Sequence, residues 1–130
     1  MVRIEDESGA WFSLEHGGFW MDEMIVLEAQ AETNWFKGTV STAFFPNELE
    51  AFVVGLKKLH EDCAGAYRFE STDEKAIELT FAMGKRGDLA ITLRLQNRPD
   101  FLNELRVTVN VDQSYLPGII AQTYTLLEPS

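Results

Sequence analysis

Between Met24 and Glu32 the chain alternates strictly, with Ile25, Leu27, Ala29 and Ala31 on one parity and Val26, Glu28, Gln30 and Glu32 on the other. Successive side chains of an extended strand point to opposite sides, so this spacing builds a strand with one dry face and one wet, acidic face. The same period returns four times. Phe36, Gly38, Val40, Thr42 and Phe44 oppose Lys37, Thr39 and Ser41. Ile77, Leu79, Phe81 and Met83 share one face, and Leu89, Ile91, Leu93 and Leu95 alternate with Ala90, Thr92, Arg94 and Gln96. Leu105, Val107, Val109 and Val111 alternate with Glu104, Arg106, Thr108 and Asn110. A slip of one residue would put a whole apolar set in water, so these registers are pinned. Turn formers at Asn34, Thr72-Asp73-Glu74, Gly84-Lys85-Arg86-Gly87-Asp88 and Arg98-Pro99-Asp100 separate the runs at hairpin distances. Ala66 to Ser71 forms a further strand, and Val2 to Glu5 and Ala10 to Glu15 are short strands joined to Met24 by a segment holding Gly17 and Gly18.

Two segments switch to helical spacing. Pro46 pre-sets the backbone of a first turn, with Phe45 or Asn47 as the cap, and Glu48 and Glu50 sit where the helix dipole favours acids. Leu49, Phe52, Val53, Leu56 and Leu59 then form one stripe, and the helix stops between Asp62 and Gly65. Asp112 or Ser114 caps a C-terminal helix that tolerates Pro117 in its first turn and buries Ile119, Ile120, Thr123 and Leu127.

Hairpin-length connections broken by only two helices predict an α+β fold, an antiparallel sheet of six to eight strands with two helices packed on one face. At 130 residues the chain is read as a single domain spanning 1–130. It holds no run approaching a membrane span and no basic-then-apolar leader, and its lone Cys63 fits a reducing compartment; the expected location is cytoplasmic.

Charge narrows the partners. The net charge is -10, and up to Glu50 ten acids face two bases, Arg3 and Lys37. Such a field repels nucleic acid and anionic membranes and speeds encounter with a basic protein. Acidity also serves plain solubility.

Chemistry is harder to place. His60 and Cys63 stand three apart at the end of the first helix, but a zinc site needs three or four ligands and no second His or Cys group completes one. They read as a half-buried thiol and a helix-end imidazole beside the negative end of the dipole. His16, next to Glu15 and Gly17-Gly18 in an expected loop, is the other candidate acid or base. The adjacent acids Asp6-Glu7, Asp22-Glu23 and Asp73-Glu74 read as solvated charge, and the glycines at 17, 18, 84 and 87 as turns. No cofactor or metal is expected. Arg86-Gly87-Asp88 spells an integrin-type tripeptide but is explained by hairpin chemistry.

The aromatics Trp11-Phe12, Phe19-Trp20 and Trp35-Phe36 admit two readings. In a small domain such residues plug one end of a sheet, and that is the expectation here; beside glycines and ringed by acids they also suit an interface. The binding candidates are accordingly Trp20, Phe19, Glu15, Asp22, Glu23, Glu28 and Glu32.

The order of elements resembles small bacterial toxin-immunity proteins of the WapI type. The resemblance rests on the strand Met24 to Glu32, on Phe44-Phe45-Pro46-Asn47-Glu48-Leu49-Glu50-Ala51-Phe52 entering the first helix, on the leucine-rich hairpin, and on Asp112-Gln113-Ser114-Tyr115-Leu116-Pro117 opening the last helix. It implies a non-enzymatic toxin binder and transfers no catalytic residue; with the acidic balance before Glu50, the expectation is that it neutralises a basic toxin through an acidic surface. Two other readings stand beside it: a homodimeric structural or regulatory module, and a small enzyme using His16 or the His60 and Cys63 pair.

Overall fold

The computed structural model of the chain describes residues 1–21, 23–70, 76–96 and 104–127. Strands β1 (Val2–Glu5), β2 (Trp11–Trp20), β3 (Met24–Glu32) and β4 (Lys37–Phe44) precede helix α1 (Pro46–Asp62). Strands β5 (Ala66–Glu70), β6 (Ile77–Met83), β7 (Asp88–Gln96) and β8 (Glu104–Asp112) follow, then a 3-10 turn, Gln113–Tyr115, and helix α2 (Leu116–Tyr124).

The strands form two sheets, not the one expected. The first has the order β1-β2-β3-β4 and the second β5-β6-β7-β8, each pairing antiparallel with its chain neighbours. Alternation specifies which hairpins form, and those registers are as the sequence dictates. It does not say whether β4 pairs with anything beyond the helix that follows it. Helix α1, 17 residues and so about 25 Å long, carries the chain away from β4 before β5 begins.

The inner faces of both sheets meet the helices in one core. Phe12, Leu14, Ile25 and Leu27 of the first sheet share it with Leu79, Phe81, Ile91 and Val109 of the second, and with the α1 stripe Leu49, Phe52, Val53, Leu56 and Leu59. The helices are therefore not laid on one face of a sheet; they bridge the two sheets. From α1, Phe52 stacks on Phe69 of β5 with centroids 4.2 Å apart and tilts against Phe81 of β6 at 5.9 Å. At the other side α2 grips β1, where the Arg3 backbone N–H donates to Gln122 Oε1 at 3.0 Å and the N-terminal ammonium donates to Thr125 Oγ1 at 2.8 Å.

Local chemistry explains the helix ends. Phe45 caps α1 in extended conformation, and the Glu48 carboxylate reaches back to accept the Phe45 N–H at 2.8 Å. Cys63 closes the helix in the left-handed region at φ 51°. Asp112 accepts the Ser114 N–H at 2.8 Å and starts the final helical segment, where Leu116, Ile119, Ile120 and Thr123 are buried. Leu126 is buried there, with Leu127 only partly so.

Candidate protein-binding faces

The sequence pattern ends the second strand at Glu15 and places Gly17 and Gly18 in a turn. The strand instead runs on to Trp20, crossing an irregularity between His16 and Phe19 where the pairing register shifts. Gly18 takes φ +118°, a backbone that only glycine adopts readily, and its N–H donates to His16 Nδ1 at 3.1 Å. The imidazole meets Phe19 edge-on at 5.0 Å, and its Nε2 is buried with no hydrogen-bond partner among the described residues. His16 is thus a fastener of the bulge and not a loop residue.

The bulge sends the strand beyond the core, and this corrects the expectation that the aromatics plug a sheet end. Phe12 is fully buried, but Phe19, Trp20 and Met21 are 53%, 54% and 73% exposed at the β2–β3 tip. Trp35 and Phe36, 86% and 65% exposed, occupy the β3–β4 turn at the opposite end of the sheet. The period-2 rule assigns a face, and these residues lie past the point where any inner face has core to meet. Met21 also holds a left-handed backbone, φ 52°, without being glycine.

Parity places Arg3, Glu5, Glu15, Glu28, Glu32 and Lys37 on the outer face of the first sheet. Glu5 has a cation, Arg3 Nη2 at 3.1 Å, and Arg3 also lies over the Trp11 ring at 4.2 Å. Glu32 stands opposite Lys37 in the β3–β4 register. Glu15 and Glu28 stand opposite one another in the β2–β3 register, two like charges on one face, a pairing that costs stability in a sheet. Glu28 accepts a hydrogen bond from Gln30 Nε2 at 2.9 Å, and among the described residues no cation lies within ion-pair distance of either. Of the predicted binding residues, the first sheet brings Glu15, Glu28 and Glu32 onto this face, with Phe19, Trp20 and Glu23 at its β2–β3 end. Asp22 lies outside the described residues.

The second sheet treats its outer charges differently. Arg94, whose side chain is 14% exposed, donates to Glu78 Oε2 at 2.8 Å and lies 3.5 Å from Glu104 and 3.9 Å from Glu70. Arg68 joins Glu70 and Glu78, and Arg106 joins Glu104. The Arg106 guanidinium, then Arg94, holds the Glu104 carboxyl below its ordinary range. Among the described residues three guanidinium groups thus balance three carboxylates across this ladder.

Sequence reasoning missed an acidic cleft of about 820 Å3 where the sheets meet, lined by Glu5, Asp6, Glu7, Asp88, Asp112 and Arg86. Only the β7–β8 register brings Asp88 opposite Asp112, so no local spacing announces it. Its key acids serve the fold: Asp6 accepts from Ser8 and from the Asn110 N–H, and Asp112 from the Ser114 N–H. These bonds keep both carboxyls below their ordinary values, Asp6 chiefly through the Ser8 hydroxyl and Asp112 chiefly through the Ser114 N–H.

Cys63 is exposed where a half-buried thiol was expected, because the left-handed cap turns it outward past the last helical turn. Its thiol lies 3.2 Å from the His60 carbonyl oxygen, and His60 is exposed. Neither His16 nor His60 lines the acidic cleft or the smaller one of about 330 Å3 between β4 and the β7–β8 end. Among the described residues no three His, Cys, Asp or Glu side chains converge as a metal site, and no helix is long and apolar enough to cross a membrane.

Among the described residues the architecture is an α+β fold of two antiparallel four-stranded sheets sharing one core with two helices. It is similar to that of the plant transcriptional regulator PBF-2, with a TM-score of 0.53 at 10% identity over 96% of this chain and 86% of that one. It is similar also to WHY3 from Arabidopsis thaliana, with a TM-score of 0.54 at 13% identity over 96% of this chain and 84% of that one. At these identities the likeness is one of fold. No curated protein matches the sequence. The immunity protein WapI-like family matches residues 3–129, nearly the whole chain, and the chain belongs to that family.

Proposed function

We propose that the protein is an immunity protein that binds and neutralises a toxin carrying a basic surface, using the outer face of its first sheet. The family membership supports the immunity role. The observation that carries the choice of surface is the contrast between the sheets: among the described residues the charged ladder of the second is internally balanced, whereas Glu15 and Glu28 of the first stand opposite each other without a cation. A protein retains a mutually repelling pair at a cost, and a cationic partner relieves it on binding. Phe19 and Trp20 add apolar area at the edge of the same sheet, the kind of anchor that carries affinity while rim charges set the association rate.

The test is co-expression with a toxin domain where one is encoded beside it, followed by stopped-flow binding and calorimetry at several salt concentrations. Cells survive only with the immunity protein present, and association slows steeply as salt rises. A toxin that stays active in the presence of the purified protein, or an affinity indifferent to Glu15→Gln with Glu28→Gln, defeats the proposal.

A further inference from the structure

The opposed carboxylates have a specific neighbour. Two residues further along the same face, β2 has no side chain at Gly17, which is exposed, while β3 and β4 present the half-buried pair Val26 and Ala43 directly opposite each other. A Cβ built on Gly17 would touch Val26 Cγ1 and the Val26 carbonyl oxygen at 3.5 Å, ordinary contact, so the bare backbone at Gly17 leaves the Val26 side chain uncovered from the β2 side. Past this strip the Trp20 position pairs with Met24. The outer face therefore runs from a carboxylate pair onto a short bare apolar strip with an exposed indole at its far end.

We infer that this stretch is the seat of one arginine side chain of the toxin, its methylene stem on the strip at Gly17, Val26 and Ala43 and its guanidinium between Glu15 and Glu28. The inference rests on the toxin-binding reading above and names the chemical anchor within it. The physical reasons are three. Residues directly opposite on antiparallel strands hold their Cβ atoms about 5 Å apart, so the two carboxylates offer acceptors on both sides of a planar fork with donors at each edge. A lysine ammonium is a compact, strongly hydrated charge that fills one such position, whereas the guanidinium spans two and is less costly to strip of water. Long cationic side chains also bury their stems against apolar surface while the head stays polar, which matches an apolar strip ending in acids. Glu28, oriented by Gln30 Nε2 at 2.9 Å, is already held in place on the strand.

The probe is a capped tripeptide, acetyl-Gly-Arg-Gly-amide, compared with its lysine and citrulline counterparts by amide chemical-shift titration of the whole chain. The arginine peptide is expected to shift Gly17, Val26, Glu28 and Ala43 before other amides, with the lysine peptide weaker and the neutral citrulline peptide silent. Glu28→Gln with Glu15→Gln, which keeps the side-chain shapes, should weaken the arginine peptide roughly fivefold. Gly17→Leu, at a position where a Cβ makes only ordinary contact, should cover the strip and abolish the localised shifts at an unchanged urea midpoint. Shifts spread evenly over all the carboxylates, equal response to lysine, or binding that survives both variants would overturn the inference. Survival of toxin neutralisation in the Gly17→Leu and Glu28→Gln proteins would overturn it while leaving the immunity role intact; loss of neutralisation in the unsubstituted protein would instead sink the role itself.

Discussion

The Asp6 carboxylate, in the turn between β1 and β2, accepts the backbone N–H of Asn110 on β8 at 3.1 Å, and so ties the first sheet to the open edge of the second. The same carboxylate accepts the Ser8 hydroxyl and the Ser8 N–H, and the Asp6 backbone exchanges bonds with Ala10 and Gly9 around the turn. One side chain therefore closes a hairpin and covers an edge amide that water or another strand would otherwise claim. Asp6→Ala should cost roughly 1 to 2 kcal/mol in urea unfolding, the scale of a charged hydrogen-bond acceptor lost from partly covered donors. A loss no larger than that of Glu7→Ala would show that the tie carries no stability.

Acid should weaken the same joint. The Asp6, Asp112 and Glu104 carboxyls all titrate below their ordinary values when folded. A depressed folded value means that the unfolded chain binds protons first, so the stabilisation is complete above the unfolded values and disappears as pH falls through the folded ones. Stability should thus hold from neutral pH down to about 5 and decline below about 4, where unfolded aspartates begin to protonate. In Asp6→Asn the decline should be shallower; an unchanged slope in that variant, measured by urea midpoint against pH, would remove Asp6 from the cause.

Gly55, on α1, faces the ring of Tyr67 on β5 so closely that a Cβ there would overlap the Tyr67 Cε1 and Cζ atoms. Tyr67 is held, with its hydroxyl donating to the Ala51 carbonyl oxygen at 3.3 Å and its ring stacked 6.2 Å from Phe52. Alanine in a helix interior normally gains about 1 kcal/mol over glycine. Here Gly55→Ala should lose about 2 kcal/mol instead, because the ring, stacked on Phe52 and held by its hydroxyl at Ala51, must give up those contacts to move aside. Adding Tyr67→Leu should recover part of that loss in a thermal melt, and a stabilised Gly55→Ala single variant would refute the close approach.

The ion ladder of the second sheet should prove uneven. Arg94 is largely covered and touches three carboxylates, so Arg94→Leu leaves them facing one another with one counter-ion fewer and should cost about 2 to 3 kcal/mol. Arg106 is 64% exposed and reaches only Glu104 among the described residues, so Arg106→Ala should cost under about 1 kcal/mol. Equal losses in the two variants would mean that burial does not set the scale.

Cys63 caps α1 at φ 51°, where a β-carbon is unwelcome. Cys63→Gly should therefore stabilise the protein by about 0.5 to 1 kcal/mol while deleting its only thiol, and should leave toxin binding unaltered. A lower melting temperature would indicate that the thiol contact with the His60 carbonyl matters more than the backbone.

Much of this fold is legible in the alternation of leucines and valines. Ile77 to Met83 and Leu89 to Leu95 pair face to face in the second sheet as their parity requires, and the α1 stripe from Leu49 to Leu59 is buried throughout. What parity cannot say is how hairpins combine, since the split into two sheets depends on where a helix carries the chain. The bulge at Gly18 was hidden for a related reason: two adjacent glycines fit a turn as well as a strand irregularity, and only the His16 ring bonding the Gly18 amide decides between them. The acidic character of Glu28 and Glu32 could be read from the β3 alternation, but that Glu28 would oppose Glu15 required a register reaching across the hairpin.

Every strand residue in the core belongs to an inner parity, so the outward-facing positions of both sheets contribute nothing to it. On the first sheet, where no ion ladder like that of the second ties the outward residues together among those described, a lineage can exchange them one at a time while the inner scaffold stays as it was.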